Sequence, residues 1–260
     1  SGSDISRRLE ITGPEDELTD LARTFNSMLD RLERAFQGQR QFVSDASHEL
    51  RTPIAVIQGY ANLLDRWGKK EETVRDEAIE AIKKEAENMK SLVESLLFLA
   101  RGDDEKIIVN KSEFYFNELI EEVIQETLMI TDKLKIYDVG LEQLSIVADR
   151  ELLKQMLRVF VDNSIKYTPP GGELRIGLGR DGNFAVLTVE DTGIGIPEEH
   201  LPHIFERFYR VDKARSDKKG AGLGLAIARW IIEKHRGKVE VISSPGNGTR
   251  VVVRLPLSMI

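Results

Sequence analysis

Apolar residues in the first hundred positions recur at intervals of three and four, the spacing of a helix that packs against a partner helix. The first series is Leu18, Leu21, Phe25, Met28 and Leu32, and we expect it to continue through Ala35, Phe42 and Ala46. Gly13-Pro14 marks the expected start of this helix. A second series lies between about 71 and 101, and Trp67-Gly68-Lys69-Lys70 predicts the turn between the two helices.

Both predicted helices carry an apolar stripe, and a single helical hairpin cannot cover two stripes. Association of two copies of the chain into a four-helix bundle would bury both of them. The alternative is a bundle formed within one chain, although only two long helices are predicted here.

Beyond Gly102-Asp103-Asp104, which we expect to be a linker, strand and helix patterns alternate. Asn117 and Asp149 are predicted to cap two helices, and a third is expected over about 223–235, ending at Gly237. Strands are predicted at 135–139, 145–148, 174–178, 185–189, 239–242 and 250–255. The expected architecture is multidomain, with an all-α helical hairpin followed by an α+β sandwich.

Composition narrows the classes of function. The 260 residues include 44 acidic and 37 basic side chains, a formal net charge of −7, which disfavours non-specific binding of nucleic acid. The absence of cysteine excludes a disulfide framework, a thiolate zinc site and a cysteine nucleophile. The best apolar run, SLLFLA after Glu94, is far shorter than a membrane span. Because the sequence starts Ser-Gly-Ser without Met, we expect a fragment of a longer protein.

The segment SDASHELRTP (44–53) places His48 among polar side chains on a helix otherwise suited to packing. Thr52 lies one turn further on the same face, and Glu49 is adjacent in sequence. Pro53 cannot donate to the carbonyl of Glu49 and should loosen the helix beside His48. A neutral imidazole can act as a nucleophile when an acceptor holds its other ring nitrogen. Taken alone, such a histidine is more often an ordinary surface residue.

Three segments containing asparagine or glycine follow: DNSIKYTPPGG (162–172), EDTGIGIP (190–197) and KGAGLGLAIA (219–228). The first offers an amide oxygen for a hard cation, a lysine for phosphate and a tyrosine ring for a base. In the second, an aspartate at a strand end precedes glycines that let the backbone approach a ligand. The third runs into a helix whose N-terminus can receive phosphate. Each alone is a weak signal, but together they predict a nucleotide site; none is a P-loop.

With these motifs in this order, the sequence resembles the cytoplasmic part of bacterial two-component sensor histidine kinases over essentially its whole length. Residues 14–32 are similar to the second half of a HAMP signalling linker, and FVSDASHELRTPIAVIQGY resembles the phosphoacceptor H-box. The three later segments resemble the N-box and two glycine boxes, and IFERFYRVD (204–212) the F-box. The resemblance implies a partial HAMP linker (1–35), a dimerisation and histidine phosphotransfer domain (36–102) and a catalytic ATP-binding domain (103–260).

The resemblance implies that His48 receives the γ-phosphoryl group of ATP on a ring nitrogen. Glu49 would orient or deprotonate the imidazole, and Arg51 would help to balance charge. The histidine would then pass the phosphoryl group to an aspartate of a response regulator. Thr52 would position the water with which such kinases dephosphorylate that partner.

For the nucleotide, the resemblance implies that Asn163 holds Mg²⁺, Lys166 meets the phosphates, Tyr167 lies against the adenine and Asp191 accepts from its amino group. Arg210 is the candidate for neutralising γ-phosphate charge. The other implied binding residues are Gly193, Gly195, Gly220, Gly222, Leu223 and Gly224. Residues from about 198 to 219 would form a mobile lid, anchored by Phe205 and Phe208.

One position departs from the family pattern: Val159 stands four residues before Asn163, where the family usually carries a polar residue. Related gyrase-type and chaperone-type ATPases place a glutamate there to activate water, so valine argues against that class. It also leaves open a degenerate scaffold that dimerises and binds ATP but transfers nothing. His200 and His203 are spaced like metal ligands but lack a third partner nearby, and are interpreted as surface histidines of the lid.

The expected partners are a second copy of the chain, through the helical hairpin, and a response regulator, with no nucleic acid. A HAMP second half implies a sensor and membrane segments upstream. The fragment is then expected on the cytoplasmic side of a protein anchored in the bacterial cytoplasmic membrane.

Overall fold

The computed structural model describes residues 7–10, 17–68, 71–103, 107–211 and 220–257. The chain divides into two compact units, Ser1–Lys90 and Ser91–Ile260. The helix start expected at Gly13-Pro14 lies outside the described residues, as do Lys69 and Lys70 of the expected turn. Among the described helices, none is long and apolar enough to cross a membrane.

The first unit consists of helix α1 (Glu17–Trp67) and the beginning of helix α2 (Glu72–Asp103), which continues into the second unit. The two long helices expected from the apolar spacing are therefore confirmed. α1 runs through Pro53 without interruption, although proline has no N–H to donate to the carbonyl of Glu49. The loosening expected at this point does not end the helix.

The apolar stripe of α1 is exposed in the single chain. Leu18 and Leu21 keep 74% and 65% of their surface in solvent, and Phe25, Met28 and Leu32 are also exposed. Large apolar side chains in a continuous stripe are costly to leave in water. The stripe therefore favours association with another helical surface.

The second unit contains two sheets. Its elements after α2 are β1 (Ser112–Tyr115), α3 (Phe116–Ile130), β2 (Lys135–Leu141), β3 (Ser145–Ala148), α4 (Arg150–Tyr167), β4 (Glu173–Asp181), β5 (Phe184–Asp191), α5 (Gly224–Lys234), β6 (Lys238–Ser243) and β7 (Thr249–Pro256). β1 and β3 form an antiparallel pair, and the larger sheet has the order β2-β4-β5-β7-β6. β2 and β4 are parallel, and the other neighbours in this sheet are antiparallel.

The core of this unit lies between the larger sheet and helices α3, α4 and α5. On β5 the alternation of a half-buried strand turns Ala185, Leu187 and Val189 inward. The same period of two places Asp191, the last residue of β5, on the buried face. A carboxylate is thereby positioned at the end of the core.

The sequence predictions agree with the structure at most elements of this unit. Asp149 caps α4 as expected, its carboxylate accepting a hydrogen bond from the Leu152 N–H at 3.1 Å. The expected cap at Asn117 is wrong, because α3 begins at Phe116 with Tyr115 in the cap position. β1 was not predicted from its short sequence and forms through pairing with β3.

Gly102, expected in a linker, instead lies in the last turn of α2, and Asp104 is outside the described residues. A Cβ atom on Gly102 would lie 2.7 Å from the indole nitrogen of Trp230. Phe98, one turn earlier, meets the same indole edge-on with ring centroids 5.0 Å apart. The end of α2 therefore packs on α5, and glycine allows the indole to lie against the helix.

His235 is a buried histidine at the end of α5, 5% exposed. Its Nε2 accepts a hydrogen bond from the Asp149 N–H at 3.0 Å, so Nδ1 carries the proton and donates to the Ile231 carbonyl at 2.8 Å. Burial lowers the pKa of the imidazole below 6.5, and the charge of Lys111 lowers it too, whereas the Ile231 carbonyl and Asp149 carboxylate oppose this. The folded unit therefore holds His235 neutral.

We expect the free energy of unfolding to fall as the pH drops below about 6.5, because the unfolded state then binds a proton that folded His235 resists. Between pH 7 and 5.5 the loss should be at most on the order of 1 kcal/mol, the free energy that proton binding gives an unfolded imidazole over this range. Denaturant titrations across this range would measure it. His235→Gln should flatten the slope, and His203→Gln, at an exposed histidine, should keep it. Equal slopes in the wild type and His235→Gln would contradict the prediction.

Candidate active site

His48 lies in the middle of α1 with an exposed side chain. Glu49 is half-buried, and Arg51 and Thr52 are exposed. Pro53, at the next position, is buried. The helix thus presents the imidazole to solvent on a regular backbone, where a reactant can reach it.

The centre of the second candidate site is Asp191, which is 9% exposed. Its Oδ1 accepts a hydrogen bond from the Gly193 N–H at 2.8 Å, and its Oδ2 accepts one from the Ser164 hydroxyl at 3.0 Å. Burial raises the pKa of this carboxyl, and the charge of Glu190 adds to the rise; hydrogen bonds from Gly193, Ser164 and the Thr249 backbone act against it. A desolvated carboxylate held by such donors is a strong acceptor for a ligand N–H.

The loop after Asp191 turns closely around the end of α4. A Cβ atom on Gly193 would lie 2.6 Å from Asp191 Oδ1 and 2.8 Å from the Tyr167 carbonyl, so only glycine fits without displacement. Gly195 has a φ of +72°, and a Cβ there would meet the Ser244 carbonyl at 1.9 Å. Gly193 therefore allows the backbone to pass close to the carboxylate and the end of α4, while Gly195 holds the loop against the β6–β7 turn.

The last two turns of α4 carry the half-buried side chains of Asn163, Lys166 and Tyr167. The Lys166 ammonium lies 4.9 Å from the centre of the Tyr167 ring and 2.6 Å from where a Cβ atom of Gly220 would be. The structure therefore brings the Lys166 ammonium next to both the Tyr167 ring and Gly220 of the KGAGLGLAIA segment.

The described part of the KGAGLGLAIA segment packs against IFERFYRVD, the segment that resembles an F-box. Gly222 has a φ of +72°, and its carbonyl accepts a hydrogen bond from the Phe208 N–H at 3.0 Å. Phe208 itself has a φ of +62°, a left-handed conformation that is unfavourable for a bulky residue. Arg210, two residues further, is half-buried. The two segments are joined through their backbones.

Leu223 and Gly224 open helix α5. Leu223 is 2% exposed, so its side chain belongs to the core and only its backbone can face a ligand. A Cβ atom on Gly224 would lie 3.3 Å from a methyl group of Val159. Val159 therefore fills the space beside the N-terminus of α5, where the family resemblance leads one to expect a polar side chain.

The predicted lid is described as far as Val211, and 212–219 lie outside the described residues. The Nδ1 of His200 and the hydroxyl of Tyr209 are 2.7 Å apart, and His203 Nδ1 lies 2.7 Å from a Glu206 carboxylate oxygen. In the described ranges there is no group of three or more His, Cys, Asp or Glu side chains that could hold a metal ion. The two histidines instead form polar contacts with Tyr209 and Glu206.

Sequence reasoning missed two hydroxyls of the site. Ser164 bonds to Asp191, and the buried Thr168 hydroxyl lies 3.1 Å from where a Cβ atom of Gly193 would be. It also missed Gly248, with a φ of +76°, at which a Cβ atom would meet the Asp191 carbonyl at 1.8 Å. The sequence signal for Ser164 is that it interrupts the apolar face of α4. The contacts of Thr168 and Gly248 join distant segments, so the local sequence carries no signal for them.

Three family models match successive parts of the chain: the HAMP domain at residues 1–34, the His Kinase A (phospho-acceptor) domain at 38–105, and the histidine kinase-, DNA gyrase B-, and HSP90-like ATPase at 148–259. Among curated proteins, the chain is 42% identical over 247 residues to the sensor histidine kinase YkoH of Bacillus subtilis (strain 168). That match covers 92% of this chain and 52% of YkoH, so the chain spans about half the length of its relative.

The solved structures that match this chain also include histidine kinases. The catalytic domain of histidine kinase ThkA is 32% identical, with a TM-score of 0.51, and the match covers 58% of this chain and 99% of that one. ThkA in complex with the response regulator protein TrrA matches at 26% identity and a TM-score of 0.69, covering 94% and 68%. Full-length ShkA in complex with AMPPNP matches at 26% identity and a TM-score of 0.63, covering 85% and 46%.

Proposed function

This chain belongs to the sensor histidine kinase family, and from that membership we propose that it uses ATP to phosphorylate its own His48 and passes the phosphoryl group to an aspartate of a response regulator. One observation carries the proposal: the asparagine and glycine motifs assemble around the buried carboxylate of Asp191, in a chain that also presents an exposed histidine on its phospho-acceptor helix. The chain spans about half the length of this relative, so we propose the activity for the whole protein as well.

The use of ATP is supported by the match to an ATPase family and by the AMPPNP complex of ShkA. In the proposed arrangement the adenine amino group donates to Asp191 and the base lies against Tyr167. Lys166 and the N-terminus of α5 receive the phosphates, with Arg210 near the γ-phosphate. Backbone groups that frame the nucleotide come from Gly193, Gly195, Gly220, Gly222, Leu223 and Gly224.

Asn163 is the side chain we assign to Mg²⁺, because its amide oxygen is a hard ligand on the last turns of α4. When bound, the ion supplies charge neutralisation at the triphosphate. Since the described residues include no cluster of acidic or histidine ligands, ATP oxygens and water would provide the other positions.

In the proposed reaction a ring nitrogen of neutral His48 attacks the γ-phosphorus. The N–P bond forms as the bond from phosphorus to the ADP oxygen breaks, and the proton on the other ring nitrogen passes to an acceptor, a role we give to Glu49. Arg51 offsets charge on the transferring group. Catalysis of this kind depends on positioning and charge, not on covalent assistance from further residues.

We propose that two copies of the chain pair through the helical hairpin, because the stripe containing Leu18, Leu21 and Phe25 is exposed in one copy. A four-helix bundle would cover it. The proposed parts remain a partial HAMP linker (1–35), a dimerisation and phosphotransfer domain (36–102) and an ATP-binding domain (103–260).

The proposed second partner is a response regulator, a choice supported by the complex of ThkA with TrrA. We also propose that the chain dephosphorylates this regulator, with Thr52 positioning water one turn from His48. The HAMP match supports anchoring of the whole protein in the cytoplasmic membrane through segments outside this sequence.

A second function is favoured by one observation, the packing of Val159 beside Gly224. A valine there cannot ligate a cation or activate water, which fits a scaffold that binds ATP without transferring phosphate. The same valine counts against a hydrolysing ATPase of the gyrase or chaperone type. An intact histidine, asparagine and aspartate in the matched motifs favour the kinase.

Incubation with γ-labelled ATP and Mg²⁺ tests the proposal. A kinase should acquire label that is lost in acid and retained in base, the stability of a phosphorus–nitrogen bond, and should pass it to a response regulator. α-Labelled ATP is the matched control and should leave no label. Tight ATP binding without label would support the scaffold, and steady release of phosphate without label would support the ATPase.

A further inference from the structure

The hydrogen bonds of Asp191 leave its carboxylate in one fixed orientation. Oδ1 accepts a hydrogen bond from the Gly193 N–H at 2.8 Å and Oδ2 accepts one from the Ser164 hydroxyl at 3.0 Å, and the Thr249 backbone is a third donor to this carboxylate. A carboxylate has about four acceptor positions. One acceptor position therefore remains for a ligand donor, in a direction set by these three protein donors.

Ser164 lies where the helix pattern calls for an apolar side chain. The preceding buried residues of α4 are Leu153, Met156, Leu157, Phe160 and Val161, and Ser164 continues this face while being 4% exposed. A serine inside a helix commonly donates to the carbonyl four residues earlier. Here its hydroxyl instead donates to Asp191 across the core. Its part in the structure is to hold that carboxylate.

Thr168, one turn after Ser164, is 5% exposed and ends α4. Its Oγ1 is buried and has no hydrogen-bond partner among the described residues. This hydroxyl and Asp191 Oδ1 lie on the same side of Gly193, since a Cβ atom there would lie 3.1 Å from the first and 2.6 Å from the second. A buried hydroxyl beside a fixed carboxylate indicates a ligand with two adjacent polar groups.

We propose that Ser164 and Thr168 determine the preference of this site for a 6-aminopurine, Ser164 by orienting Asp191 towards the 6-amino group and Thr168 by donating to the neighbouring ring nitrogen N1. A 6-oxopurine reverses the pattern, because it presents an oxygen to the carboxylate and an N–H at N1. Ser164 is a positioning residue, and Thr168 contacts the base. The inference rests on the proposed binding of ATP.

Equilibrium binding of three triphosphates tests the inference: ATP, ITP with its 6-oxo group, and the triphosphate of purine riboside, which lacks only the 6-amino group. Ser164→Ala should weaken ATP about tenfold and purine riboside triphosphate less than about twofold, because only ATP has the amino group that Asp191 must meet. Ser164→Thr should restore ATP binding. Thr168→Val should weaken both nucleotides by about fivefold to tenfold, since both carry N1.

Ser145→Ala and Thr188→Val are matched controls on other faces of the unit and should leave all three affinities unchanged. Equal losses for ATP and purine riboside triphosphate in Ser164→Ala would overturn the role of Ser164, and unchanged affinities in Thr168→Val would overturn that of Thr168. The readout is binding, so ATP selectivity that follows this pattern without label on His48 would contradict the proposed kinase activity and support the inference.

Discussion

Glutamine in place of His48 will abolish the transfer of label from γ-labelled ATP, a loss of at least about a thousandfold in rate. The amide nitrogen of glutamine has its lone pair delocalised into the carbonyl and cannot attack phosphorus. His48 is exposed on α1, so the substitution removes no core contact and should leave the helix intact. The measurement is the initial rate of labelling, with circular dichroism to verify helix content.

The same variant should bind ATP with unchanged affinity, because the nucleotide site is built from residues of the second unit. Lys84→Gln is the matched control: it places the same glutamine at an exposed position of the other long helix and should label at the wild-type rate. Label that persists in His48→Gln with the same lability in acid would show that another side chain accepts the phosphoryl group. Loss of ATP binding together with label would instead indicate a folding defect.

Much of this arrangement follows from short-range patterns. The spacing of Leu18, Leu21 and Phe25 predicted a long helix, and the EDTGIGIP motif placed Asp191 at the end of a strand, as the structure has it. Asp149 had the chemistry of a helix cap and acts as one. These features are set by residues within a few positions of each other, so one sequence reveals them.

Other features depend on contacts between distant segments. Gly102 resembles a linker residue until α5 brings Trp230 against it, and β1 exists because β3 pairs with it. The bond from Ser164 to Asp191 joins residues 27 positions apart. Local periodicity carries no information about such pairs. The family motifs indicated a nucleotide site, but only the fold shows which hydroxyls face its carboxylate.

Gly222→Ala should weaken ATP binding by about a hundredfold with little change in the helix and strand content. The backbone at this position has a φ of +72°, which alanine adopts at a cost of about 1–2 kcal/mol. The added methyl group would also lie 2.8 Å from the Phe208 carbonyl carbon and 2.8 Å from the Tyr209 oxygen. Both are backbone atoms, so the glycine segment or the F-box segment must move, and the Phe208–Gly222 hydrogen bond is lost with that movement.

Two matched substitutions separate the effect of the positive φ from the effect of the close backbone contact. Gly246 has a φ of +81° but open space around it, so Gly246→Ala should lower stability by about 1 kcal/mol and leave ATP affinity within about twofold. Gly179 has open space and no positive φ, and Gly179→Ala should be neutral for binding. If Gly222→Ala binds ATP like Gly246→Ala, the contact with Phe208 and Tyr209 does not shape the nucleotide site. If it alone loses ATP, the F-box segment and the glycine segment bind nucleotide as one backbone assembly.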